Sequence, residues 1–195
     1  MEINPAVVIL AGPNGAGKST SAPYLLEGAL KVSEFVNADV IARGLSGFNP
    51  EGAALSAGKL MLHRLRELAG QRTSFAFETT LASKSFAPWV AELRKTGYVF
   101  HLVYFWVPSP ELSIGRVKER VSQGGHHVPA DVIHRRYRGG LENLFRLYLP
   151  LTDSWRLYDN SKGDLRPIAK GRGRTADSVE DSEMWQRLRE EHDHA

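Results

Sequence analysis

Near the amino terminus the octet Gly12-Pro13-Asn14-Gly15-Ala16-Gly17-Lys18-Ser19 matches GxxxxGK[ST] in full, between an apolar run, Ala6 to Ala11, and a stretch of helical character. A strand passing through such a loop into a helix start is a phosphate-binding arrangement. Glycines let the backbone turn its N–H groups inward, and the helix start adds the positive end of its dipole. Gly12, Pro13, Asn14, Gly15, Ala16, Gly17, Lys18, Ser19 and Thr20 are therefore the expected nucleotide contacts. Lys18 would reach the terminal phosphates, and the Ser19 hydroxyl would complete the shell of a magnesium ion bridging them. ATP and Mg2+ are the cofactors this implies. The alternative is a turn that only joins a strand to a helix.

A loop of this kind needs an open α/β sheet, and the rest of the chain has the pattern for one. Apolar, β-branched and aromatic runs at Ala6–Ala11, Phe35–Asp39, Ser74–Thr79, Tyr98–Val107 and Trp155–Asn160 read as strands. Helical patterns lie between them at Lys18–Leu30, Glu51–Ala69, Ser83–Lys95, Pro110–Ser122 and Ala130–Tyr148. The expected fold is an α/β P-loop NTPase, a parallel five-stranded sheet in the kinase-like order 2-3-1-4-5, flanked by helices and carrying a helical lid. Residues 1–162 would form this domain, with the lid at about 112–140. The remainder, 163–195, reads as a polar tail, partly disordered or loosely docked, in which Lys170-Gly171-Arg172-Gly173-Arg174 is a solvated connector and Met184–Glu191 a short helix.

A length of 195 residues with 42% hydrophobic and 24% charged side chains suits one globular domain. Tyr98–Val107 is the longest apolar stretch and is too short to cross a bilayer. No export signal is visible, so a cytoplasmic location and no membrane partner are expected. There is no cysteine, which excludes disulfides and thiolate metal sites. The net charge of +3 comes without a basic stripe interleaved with aromatics, so phosphate ligands account for it better than nucleic acid does.

In open α/β sheets ligands bind beyond the carboxyl ends of the strands. Asp39, at the end of the second strand, is placed to accept a hydroxyl proton as that oxygen attacks phosphorus; it could equally cap a following helix. Glu78, after the third strand, could hold water on magnesium, orient Asp39 or bind substrate hydroxyls, with Thr79 and Thr80 adding hydroxyl groups. Arg116, Arg120, Arg135, Arg136 and Arg138 surround the turn Gly124-Gly125-His126-His127-Val128-Pro129. Such a helix–turn–helix reads as a lid whose guanidinium groups neutralise phosphoryl oxygens, Arg120 and Arg136 foremost; the alternative is a solvated basic face. His126 and His127 alone lack the third protein ligand of a catalytic zinc site.

The stretches AGPNGAGKST, VNADVIARGL, FETTLAS and RVKERVSQGGHHVPADVIHRRYRGGLENL together resemble the zeta toxin-like family of P-loop kinases, from about Val7 to Asn160. Zeta toxins phosphorylate the 3′-hydroxyl of the amino sugar in UDP-N-acetylglucosamine with ATP and magnesium. The resemblance implies a catalytic lysine at Lys18, a proton-accepting aspartate at Asp39, a substrate-side glutamate at Glu78 and a lid arginine at Arg120, with Arg135 or Arg136 as the second. This chain is compact and leaves little sequence for an elaborate sugar-nucleotide pocket. The implied activity is transfer of a γ-phosphoryl group to a hydroxyl of UDP-N-acetylglucosamine or a similar metabolite. Two other readings are a nucleotide-binding regulatory protein, partnered by an antitoxin-like protein, and a kinase of nucleic-acid ends.

Overall fold

The structure, a computed structural model, describes residues 4–192. Its centre is β1 (Ala6–Ala11), whose residues from Val7 onward are completely buried. Alternate residues of this strand serve opposite faces: Val7, Ile9 and Ala11 enter one apolar layer, Val8 and Leu10 the other. The second layer is covered by α1 (Lys18–Pro23) and its π-helical continuation, Tyr24–Leu30. The first and larger layer receives α3 (Ala54–Gly70), α4 (Phe86–Lys95) and α6 (Ala130–Asn143), the last running on as a π-helical turn, Leu144–Tyr148.

Three further parallel strands and one more at the far side join β1: β2 (Glu34–Val36), β3 (Phe75–Thr79), β4 (Val99–Trp106) and β5 (Ser154–Asp159). The expected order 2-3-1-4-5 is present, but the sheet has seven strands, because β6 (Arg166–Arg172) and β7 (Thr175–Val179) extend it antiparallel beyond β5. The expectation of five strands followed by a loose polar tail is thereby corrected. Ile168 and Ala169 are buried in β6, and α7 (Ser182–His192) stacks Trp185 on Trp155 with ring centroids 5.2 Å apart. The basic Lys170-Gly171-Arg172 run is a strand beside the sheet's edge, where charged side chains are the ordinary solvent-side composition. Residues 193–195 of the expected tail lie outside the described residues.

Two elements differ from the sequence reading near the site. The second strand stops at Val36, and residues read as its end open α2 (Ala38–Leu45). The segment expected as a lid consists of α5 (Pro110–Ser122) with the turn that leads into α6; Val117, Val128 and Ile133 form a small apolar cluster of their own, separate from both main layers.

Candidate active site

The carboxyl ends of β1, β2 and β3 converge because the strands are in register there. Leu10 pairs with Glu78, Ala11 with Thr79 and Val36 with Phe77, so Asn37 follows β2 directly beside Glu78. The phosphate loop leaves β1 and enters α1 at Gly17, whose φ of 84° is left-handed. Asn160, just past β5, donates from Nδ2 to the Ala16 carbonyl at 2.8 Å, and a Cβ on Gly17 would collide with that same Nδ2. Glycine is required here both by conformation and by this close approach.

Lys18 is 5% exposed and donates from Nζ to the carbonyls of Gly12 at 2.8 Å and Pro13 at 2.9 Å. Glu78 Oε1 lies 3.6 Å away. Burial lowers the lysine pKa below its ordinary value, while the negative charges of Glu78 and Asp39 act against that shift. Two carbonyls and a carboxylate hold the ammonium at the loop, where phosphate oxygens would be its stronger, charge-assisted partners.

Ser19 donates to Glu78 Oε2 at 2.6 Å, and Asn37 Nδ2 donates to the same oxygen at 2.8 Å. A hydroxyl beside a carboxylate is the hard-oxygen pair that fits magnesium, which takes one or two protein ligands and completes its octahedron with phosphates and water. Glu78 thus faces the Ser19 corner. Among the described residues no group of three or more His, Cys, Asp or Glu could hold a metal, so His126 and His127 form no such site.

Asn37 also settles how α2 begins. Its Oδ1 accepts from the N–H groups of Asp39 at 2.8 Å and Val40 at 3.3 Å, making Asn37 the cap that was one reading of Asp39. Asp39 is left in the first turn of α2 with its carboxylate at the cleft.

That cleft has two connected parts. One, of about 270 Å³, is lined by the loop residues Asn14, Gly15, Gly17, Lys18, Ser19 and Thr20 and by Arg43, Arg116 and Arg120. The other, of about 210 Å³, is lined by Asn37, Met61, Thr79, Thr80, Phe86 and Arg136. Asn14, Lys18, Asp39 and Glu78 border both. Arg116 donates to the carbonyls of Gly15 at 3.5 Å and Ser161 at 2.9 Å, which ties the lid helix across the loop. Arg120 holds the lid turn by a 2.8 Å bond to the His126 carbonyl, while its Nε is buried without a partner. Arg135 and Arg138 are exposed and border neither part. Of three asparagines at the site, Asn14 was an expected nucleotide contact, whereas Asn37 and Asn160 had no individual role assigned from the sequence. Asn37 was legible as a helix cap; Asn160, which like Asn14 has a buried and unpartnered Oδ1, had no spacing signal of its own.

A family model described as an AAA domain matches residues 7–140. An uncharacterized protein of Haemophilus influenzae is 28% identical over 130 residues, 67% of this chain and 91% of its own length. The structure of the AvrRxo1-ORF1:-ORF2 complex with ATP contains a chain that is 20% identical, with a TM-score of 0.74 over 95% of the present chain; this chain spans 63% of that one. The PezAT chromosomal toxin–antitoxin system of Streptococcus pneumoniae contains another, 19% identical with a TM-score of 0.64, covering 97% of this chain and 86% of its own. These likenesses show a fold shared with those chains. The match of residues 7–140 spans the phosphate loop, Asp39, Glu78 and α5 with most of α6, and the chain belongs to this AAA domain family.

Proposed function

We propose that this chain is an ATP- and magnesium-dependent small-molecule kinase that moves the γ-phosphoryl group to a hydroxyl of a sugar nucleotide or a smaller metabolite. The observation that carries the reading is the shared border: Asp39 and Lys18 line both the phosphate-loop part of the cleft and the part beside it. A phosphoryl donor on one side and an alcohol on the other would meet at these two side chains.

Magnesium, when bound, would draw charge from the β- and γ-phosphate oxygens. The chain's own residues supply the rest. Ser19 and Glu78 hold the metal corner, and Asn37 keeps the Glu78 carboxylate turned toward it. Lys18 exchanges its loop carbonyls for phosphate oxygens and stays close to the point of transfer. Arg116 and Arg120 reach the cleft from the lid and neutralise charge that spreads over the transferring group. Asp39 accepts the proton of the attacking hydroxyl. This chemistry needs positioning and charge more than a covalent nucleophile, which matches a site with no cysteine and no catalytic histidine.

Replacing Asp39 by Asn tests the reading. General-base removal costs about 10²- to 10⁴-fold in turnover, so phosphorylated product should fall by that factor in a mass-resolved assay of ATP, Mg2+ and a metabolite panel. ATP should still raise the melting temperature of the variant. Unchanged turnover in Asp39→Asn removes the base role. An ATP-induced shift with background turnover on every acceptor supports instead a nucleotide-binding module that works through a partner, such as an antitoxin-like protein.

A further inference from the structure

Arg136 is not built like the lid arginines. It lies on α6 in a stripe with Gly140 and Asn143, spaced four and three residues apart on one helical face. That face is fastened to the turn after β3. A Cβ on Gly140 would collide with the Thr80 carbonyl, so helix and turn are in direct contact there. Asn143 Nδ2 donates to the Leu81 carbonyl at 2.8 Å and the Ala82 carbonyl at 3.3 Å. Next in sequence, Tyr137 ties α6 to the end of β4 through a 2.7 Å bond to the Val107 carbonyl. The turn itself is held in an unusual shape: Leu81 has φ 57° and is fully buried, a conformation a leucine keeps only where its surroundings enforce it.

The consequence is a guanidinium carried on a fastened helix face and lining the same cavity as the hydroxyls of Thr79 and Thr80. Arg136 borders the acceptor part of the cleft, with Thr79, Thr80, Met61 and Phe86, and does not border the phosphate-loop part. It is partly buried, and among the described residues none closes a hydrogen bond or ion pair with it; Asp39 acts on it only through space. A partly desolvated cation without a bonded partner is costly unless an anion arrives. Thr79 Oγ1 already accepts from the Leu81 N–H at 3.1 Å, which leaves its hydroxyl proton to donate, and Asn14, whose Oδ1 is buried and unpartnered, borders both parts. Phe86 and Met61 supply an apolar wall on which the C–H face of a ring or chain can rest.

Volume limits what fits. At about 210 Å³, the acceptor part has room for a single sugar or hydroxy acid. From this unpartnered cation on a fastened helix, the hydroxyl groups and the size, we infer that the acceptor is a small anionic alcohol, such as a sugar acid, a hydroxy acid or a sugar phosphate, whose anionic group binds Arg136. The inference rests on the kinase reading and narrows it. The acceptor oxygen forms a bond to the γ-phosphorus while the bond from that phosphorus to the β–γ bridging oxygen breaks. The electron pair leaves on ADP, and the hydroxyl proton passes to Asp39.

The experiment compares D-gluconate and D-glycerate as carboxylates, glucose 6-phosphate as a phosphate, glucose and glycerol as neutral controls, and UDP-N-acetylglucosamine. Turnover with ATP and Mg2+ and the melting temperature with each probe alone are both measured. At least one small anionic probe should be used at least tenfold more efficiently than its neutral counterpart, and should raise the melting temperature. The carboxylate and phosphate arms identify which anion Arg136 reads. In Arg136→Gln the KM or half-saturation for that probe should rise at least tenfold while the KM for ATP stays within about twofold, the size expected for one charged hydrogen-bonding group. Arg136→Lys should restore part of the loss. Phosphorylation of UDP-N-acetylglucosamine alone, equal use of neutral and anionic probes, or an Arg136→Gln defect confined to ATP overturns the inference and leaves the kinase reading standing. Arg136-dependent stabilisation by an anionic probe without any turnover supports the anion site and counts against the kinase reading. No stabilisation and no turnover with any small anion overturns the anion site.

Discussion

The two parts of the cleft are made of different material. The phosphate-loop side is mostly backbone: carbonyls that hold Lys18, a left-handed glycine at the head of α1, and carbonyls of Ala16, Gly15 and Ser161 fastened by Asn160 and Arg116. The acceptor side is mostly side chains, Thr79, Thr80, Met61, Phe86 and Arg136, projecting from four different segments. Where binding groups are backbone, the path of the chain is the site, and one added methyl group can close it. Where they are side chains, a scaffold can keep its donor chemistry and change its acceptor by a few replacements.

This contrast can be broken most decisively at Gly17. An alanine there meets both the left-handed φ and the Asn160 amide, so the loop must move. ATP should then produce no melting shift at concentrations that saturate the parent protein, a loss of at least about 100-fold in affinity, since a displaced loop misaims several N–H groups together. A normal ATP response in Gly17→Ala would show that the loop adapts and that the backbone is not the limiting part. Asn160→Ala is the milder test on the same side. It leaves the Ala16 carbonyl buried without its partner, a cost of about 1–3 kcal/mol. The KM for ATP should rise by up to about tenfold with the acceptor KM unmoved; equal changes in both would mean that Asn160 supports the fold and does not specifically hold the loop.

The same division explains what could be read without coordinates. Backbone motifs are local, so the loop octet and its flanks pointed to β1 at Ala6–Ala11 with no adjustment, and Pro110 at a helix start marked α5 through Ser122. The second strand was extended too far, to Asp39, because Phe35 and Val36 look β-like, whereas the Asn37 cap turns the chain into α2 after Val36. Arg135 and Arg136 are neighbours in sequence and indistinguishable by composition. Only the packing of Gly140 and Asn143 against the turn after β3 turns one into the cleft and leaves the other exposed. The strands β6 and β7 were missed for a similar reason, and α7, read as a short helix over Met184–Glu191, was not recognised as docked on the sheet. Their stability comes from Trp185 against Trp155 and Ile168 in the core, contacts made across the fold and not within the segment.

The smallest expected effect is at Phe86. Its ring packs on Phe77, with centroids 4.9 Å apart, and one edge borders the acceptor part only. Leucine keeps the position apolar and partly fills it, at a stability cost of about 1 kcal/mol. A changed wall alters how snugly a small ring or chain rests without touching charge or proton transfer, and at a cavity open to solvent the effect should fall below the roughly 10-fold lower end for a methylene misfit in an enclosed pocket. Phe86→Leu should therefore move the acceptor KM by about two- to fivefold, with kcat and the KM for ATP unchanged. If ATP binding moves by the same factor, the partition fails at its most sensitive point, because a side chain bordering only the acceptor part would be shaping the loop as well.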